Sequence, residues 1–238
     1  KSVLADNRPG VTVVGGRAGI SGKDTTPGML ISVYDNLIAD EPKNDFTVGI
    51  VDDVYFKSLP WEEVTLDKPG EVSCKLWGTG GDGTVGANKN SLKIIGGKTD
   101  MYTQAYFAYD AKKSGGVTQS HLRFGKDPIH ATYLVSSADF VGVHNVSYLD
   151  KFDVVKDLKK GGKFLINCNW KPEEVEEKMP AAVKKALAEK EAKLYIIDAT
   201  DIAESIGLGN RTNSILQSAF FKLIDVIPMD VAIDAMKS

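Results

Sequence analysis

Cysteine, histidine and long apolar runs are all scarce in this chain, and each scarcity removes a class of function. The cysteines are Cys74 and Cys168 alone. They form no Cys-x-x-Cys, so the chain carries no iron–sulfur cluster of ferredoxin type. Both lie in apolar runs that read as strands, which predicts buried free thiols. His121, His130 and His144 share no ligand spacing, so no metal residue is expected. No stretch of about 18 apolar residues and no signal peptide is present, so the sequence reads as cytoplasmic, with no membrane partner. An excess of positive charge is missing as well: 29 Lys and Arg stand against 32 Asp and Glu. No basic field recruits nucleic acid. No nucleophile–base pair is legible, so no catalytic residue is expected. Internal repeats and low-complexity segments are absent too.

What is there belongs to a globular protein. The 238 residues are 42% hydrophobic and 26% charged, enough for one large domain or two small ones. The chain opens at Lys1 and reads as a piece of a longer polypeptide. Val11–Val14 is a β-branched run that predicts a strand ending at Gly15-Gly16. Thr26-Pro27 caps a helix, with Met29, Leu30, Val33, Leu37 and Ile38 as its apolar stripe. Phe46–Val51 is the next expected strand, completing a βαβ-sized unit. Pro60, Pro69, Gly70 and several charges mark residues 57–70 as a boundary, dividing residues 1–65 from 66–238.

The second part begins with a strand at Val72–Trp77 and a helix from Thr84 to Ile95, stopped by Gly96-Gly97. Further strands are expected at Tyr102–Tyr109, Thr118–Phe124, Tyr133–Ser136, Phe140–Val143, Phe164–Cys168 and Leu194–Ile197. A solvated amphipathic helix is expected within 171–192, with Pro180 near the start of its better part, and helices at 201–206 and 212–227. Strands alternating with helices predict an α/β fold, a mostly parallel sheet with helices on both faces.

One motif carries chemistry. Gly78-x-Gly80-x-x-Gly83 joins an expected strand to an expected helix. Glycine lets backbone approach a ligand, and a helix N-terminus offers free N–H groups to a phosphate. The same turn can also serve packing alone. An NAD-type site wants an acid about 20 residues further on. Here Asp110 follows Gly83 by nearly thirty residues and is crowded by Lys112-Lys113. Those cations suit a phosphorylated ribose, which NADP and coenzyme A both carry, or a merely solvated loop. Asp82 opposes a phosphate by its charge and suits a helix cap or a ribose hydroxyl. Gly81-Asp82-Gly83 also resembles the start of a thiamine diphosphate motif, but residues 105–115 lack the asparagine that motif requires. Asn167-Cys168-Asn169 and Asn210-Arg211-Thr212-Asn213 are polar clusters open to ligand binding or to capping.

Four blocks in order resemble the pyruvate:ferredoxin (2-oxoacid:ferredoxin or flavodoxin) oxidoreductases. They are Val13–Arg17 with Lys23–Pro27, Trp77–Ser91, Tyr109–Thr118 with Ser120–Gly125, and Gly207–Asn213 with Ile215–Phe221. The resemblance covers essentially the whole chain. It implies that residues 1–65 end a transketolase C-terminal-like α/β domain, and that 66–238 form most of a Rossmann-like gamma-type domain that binds coenzyme A. It implies coenzyme A contacts at Gly81, Asp82, Gly83, Thr84, Val85, Lys113 and Asn213. The family converts pyruvate and coenzyme A to acetyl-CoA and CO₂ in anaerobic metabolism and passes electrons to ferredoxin or flavodoxin. It is homodimeric, and its thiamine diphosphate, Mg and [4Fe–4S] clusters would lie in domains outside this chain. The isolated chain is therefore expected to be inactive. The alternative is a stand-alone NADP-binding Rossmann-like domain.

Overall fold

The computed structural model describes residues 7, 8, 10–19, 24–52, 54–110 and 115–237. They fall into two compact units that divide between Leu66 and Asp67.

In the first unit, β1 (Gly16–Ala18) pairs in parallel with β2 (Phe46–Val48), and α1 (Pro27–Ile38) is the crossover between them. Thr26 caps α1, its hydroxyl accepting from the Met29 N–H at 3.4 Å. Pro27 sits where its missing N–H has no helical partner to lose. The strand lies later than the β-branched run predicts: Val11–Val14 is irregular and Val11 is exposed. The pairing register Gly16↔Phe46 explains the shift, because a methyl at position 16 would fall 2.1 Å from the Phe46 ring. The expected stripe of α1 is also corrected. The helix buries Gly28, Met29, Ser32 and Asn36, while Leu30, Tyr34 and Ile38 are 52%, 69% and 82% exposed. Asn36 is drawn inward by hydrogen bonds with both the N–H and the C=O of Lys43.

The second unit holds a six-stranded sheet, β3 (Glu71–Thr79), β4 (Tyr102–Tyr109), β5 (Val117–Gly125), β6 (Ala138–Val143), β7 (Leu158–Asn167) and β8 (Lys193–Ile197), in the spatial order 4-5-3-6-7-8. β3, β6, β7 and β8 are parallel neighbours, and β5 alone runs antiparallel to those beside it. Alternation along the central strands sends side chains to two cores. Trp77, Val141, Val143, Phe164 and Ile166 pack on one face, beneath Val183 and Leu187 of α4 (Ala181–Glu189). Leu76, Phe140 and Leu165 pack on the other, beneath α2 (Thr84–Lys98), α6 (Asn213–Ile224) and α7 (Met229–Lys237). Two helices complete the unit: α3 (Val175–Lys178) and α5 (Ala199–Ser205). Strands buried on both faces read as near-continuous apolar runs, which is why β6 and β7 are legible in sequence.

Several local expectations fail for identifiable reasons. α2 continues through Gly96-Gly97 and ends where Thr99 bonds to the Ile95 carbonyl through both its N–H and its hydroxyl. Tyr133–Ser136 is irregular, held instead by the Val135 N–H donating to His121 Nδ1 at 3.2 Å. The helix expected within 171–192 does form where Pro180 marks its start, as α4, behind the short α3. The helix expected over 212–227 stops at Ile224, where Asp225 takes a left-handed conformation (φ 57°), and α7 follows. Cys74 is buried in β3 and Cys168 just beyond β7.

Candidate functional site

The glycine motif lies at the C-terminal end of β3 and closes into α2. Gly78 allows the close approach of strand and helix: a Cβ there would stand 2.7 Å from the Thr84 side chain. Gly81 and Gly83 have φ of 93° and 84°, a conformation that side chains resist. The amides of Gly80, Asp82 and Ala87 are consumed by the carbonyls of Gly116, Thr79 and Gly83. Those of Gly81, Gly83, Val85 and Gly86 donate to no protein group among the described residues, and the three glycines among them are exposed. Four orphan donors at a helix N-terminus make an anion cradle.

Asp82 does not oppose this cradle. Its Oδ2 accepts from the Thr79 N–H at 2.7 Å and its Oδ1 from the Thr84 N–H at 2.8 Å. The carboxylate turns back into its own loop as a clamp, which is the capping role the sequence allowed.

Asn213, 130 positions further along the chain than Gly83, comes to the same place. A methyl built on Gly83 would stand 3.1 Å from Asn213 Nδ2. α6 delivers it. Phe220 and Phe221 anchor that helix in the core, and Gln217 donates to Ser91 Oγ of α2 at 3.1 Å. The Lys163 ammonium reaches the Leu223 carbonyl near the other end of α6. The fold thus gathers Gly81, Asp82, Gly83, Thr84, Val85 and Asn213. Lys112 and Lys113 lie outside the described residues.

A polar cleft of about 570 Å³ adjoins the turn, sharing Thr79 and Asp82 with it and reaching Thr212 beside Asn213. It sits beyond the carboxyl ends of the parallel strands, where open α/β sheets place ligands. His144 lines it, with Nδ1 2.9 Å from Thr84 Oγ1. Burial holds this imidazole down to about 4, against the opposing pull of Asp82, so it is neutral at pH 7. Its backbone is fixed on both sides, by the Trp77 carbonyl at 2.9 Å and by Asn167 Nδ2 at 3.1 Å. Asn167 spends its Oδ1 on the Ala199 N–H at 3.0 Å, so this asparagine ties β6 to α5 and leaves little for a ligand. Tyr148 completes the frame, its hydroxyl sharing a 2.8 Å hydrogen bond with Thr79 Oγ1 and donating to the Gly78 carbonyl at 3.2 Å. Sequence reasoning set His144 aside with the other histidines for want of a metal-ligand spacing, and passed over Tyr148. No local spacing signals a contact made across 60 or 69 positions. Among the described residues no group of three or more His, Cys, Asp or Glu is placed to hold a metal ion.

The comparisons with known proteins agree with this architecture. Residues 73–238 match the family model described as pyruvate ferredoxin/flavodoxin oxidoreductase. A pyruvate-flavodoxin oxidoreductase of Enterobacter agglomerans is 52% identical over 98% of this chain and 20% of its own length. A pyruvate:ferredoxin oxidoreductase of Moorella thermoacetica is 52% identical over 100% of this chain, again 20% of its length. In fold, the crystal structure of a pyruvate oxidoreductase subunit of Thermotoga maritima superposes with a TM-score of 0.56 at 20% identity, covering 71% of this chain and 84% of that subunit. The chain spans about one fifth of the length of the curated relatives it matches. With its cradle, its sheet and these matches together, the chain belongs to the pyruvate ferredoxin/flavodoxin oxidoreductase family.

Proposed function

We propose that this chain is the coenzyme A-binding part of an enzyme that oxidatively decarboxylates pyruvate to acetyl-CoA and CO₂, passing electrons to ferredoxin or flavodoxin. Residues 66–238 act as the gamma-type domain, and residues 1–65 end a transketolase C-terminal-like domain. The observation that carries the reading is the cradle: four N–H groups from Gly81 to Gly86 that have no partner among the described residues, bordered by Asn213. They take a phosphate of coenzyme A, and Lys113 adds charge for the nucleotide end. Thr84 and Val85 open the helix whose dipole favours the anion. Coenzyme A is a substrate here. Holding it raises the effective concentration of its thiol at a reaction centre built elsewhere.

Thiamine diphosphate, Mg and the [4Fe–4S] clusters belong to the remaining domains of the polypeptide, which works as a cytoplasmic homodimer. The exposed apolar side chains Leu30, Tyr34 and Ile38 of α1 fit a surface that such neighbours cover. No helix among the described residues is long and apolar enough to cross a membrane. Alone, the chain turns over no pyruvate; turnover by the purified chain would refute this assignment.

The NADP reading is weaker for a topological reason. A dinucleotide fold sets its second strand beside its first, bringing the ribose-binding acid next to the turn. Here β5 separates β4 from β3. Calorimetric titration of coenzyme A into the full-length polypeptide and its Lys113→Ala variant tests the choice. Loss of one charged contact weakens binding by about 10- to 100-fold. Equal affinity of the two proteins, or equal displacement of coenzyme A by NADP, would overturn it.

A further inference from the structure

We propose that the polar cleft beside the glycine turn is the subsite for the neutral, amide-bearing arm of the same ligand, and that His144 is a binding residue within it. The inference rests on the reading of the turn as a coenzyme A site.

Charge decides what the cleft can take. Asp198, Asp201 and Glu204 line it, and among the described residues no lysine or arginine does. An anion placed there meets like charge, so the phosphates belong at the amide cradle outside it. Asn169, Asn210 and Thr200 add side chains to the wall that both donate and accept. A chain of amides and hydroxyls suits that wall, and a pantetheine arm is such a chain. About 570 Å³ lies within the usual range of ligand pockets. Continuity is built in, because Thr79 and Asp82 belong to both turn and cleft, and Thr212, beside Asn213, lines the cleft as well.

His144 joins the two places. Thr84, the first residue of α2, holds its Nδ1. Nε2 has no protein partner among the described residues, and the half-buried ring lines the cleft. When Nδ1 accepts from the Thr84 hydroxyl, Nε2 carries the proton and donates to a ligand carbonyl. Because the imidazole is neutral at pH 7, it recognises the amide without attracting a phosphate into the wrong subsite.

Two ligands separate the roles: coenzyme A, and adenosine 3′,5′-bisphosphate, which lacks the arm. Both are titrated into the full-length polypeptide and into His144→Asn and Asn169→Ala variants. Asparagine keeps an acceptor near the Nδ1 position and loses the Nε2 donor. Asn169 is exposed and its side chain makes no hydrogen bond to the described protein, so its removal leaves the fold intact. Each variant is expected to bind coenzyme A about tenfold more weakly and the bisphosphate within about twofold of the parent. Equal loss for both ligands in His144→Asn would reduce His144 to a prop for the turn and overturn the proposal. Unchanged coenzyme A affinity in both variants would remove the arm from the cleft. If the parent binds neither ligand, the reading of the turn itself fails and the subsite falls with it.

Discussion

Asp82 is the sharpest place to test how the cradle is built. The resemblance makes it a ligand contact, whereas the geometry makes it a clamp whose two oxygens hold the Thr79 and Thr84 amides at 2.7 and 2.8 Å. Asp82→Ala removes both acceptors at once. A hydrogen bond to a charged group contributes about 1.5–3 kcal/mol, and less where water can replace it. Asp82 is half-buried and its two bonds share one side chain, so they do not add in full. A local loss of about 2 kcal/mol follows, which is roughly a 30-fold change in an opening equilibrium. Hydrogen exchange of the full-length polypeptide, read by mass spectrometry over residues 77–88, measures that opening without requiring two-state unfolding. The amides of Thr79 and Thr84 should exchange about 30-fold faster in Asp82→Ala. Asp82→Asn keeps one acceptor and should show about half of the free-energy change. Unchanged exchange in Asp82→Ala, with coenzyme A affinity lost, would refute the clamp and make Asp82 a ligand contact only.

Two further outcomes follow from buried charge. Lys75 and Asp157 form an ion pair at 2.5 Å with little exposure on either side, and the ammonium also sits 4.8 Å above the Trp77 ring. Asp157→Ala strands the lysine and should destabilise this unit by about 3–5 kcal/mol, whereas Asp157→Asn loses less; chemical denaturation midpoints distinguish them. His121 and His144 are held neutral, chiefly by burial, at about 3 and about 4. Their ordinary value is near 6.5, so below that pH the unfolded chain binds protons that the folded chain refuses. The stability due to these residues is therefore complete above pH 6.5 and falls as the pH drops through 6.5 toward 4, by up to about 1.4 kcal/mol per pH unit for each histidine. Denaturation series between pH 7 and 4 should flatten in a His121→Gln variant, and an unchanged slope would contradict the assignment.

Local chemistry set much of this molecule at the level of sequence. β-branched and apolar runs declared β3, β6 and β7, because strands buried on both faces have no polar side to show. Thr26-Pro27 started α1, and the spacing of Gly78, Gly80 and Gly83 announced a tight strand-to-helix turn. These signals arise within a few residues, where backbone sterics and capping act. Tertiary structure decided the rest. Strand order is a matter of long-range pairing, so nothing local told that β5 would insert between β3 and β4. The inward face of α1 was chosen by the Lys43 backbone bonding to Asn36, against the helix's own apolar stripe. Asn213 reaches Gly83, and His144 reaches Thr84, only because the sheet and α6 fold across more than half and a quarter of the chain respectively. Asp82 was ambiguous until its two hydrogen bonds were seen, since a carboxylate beside a phosphate cradle repels or clamps according to where its oxygens point.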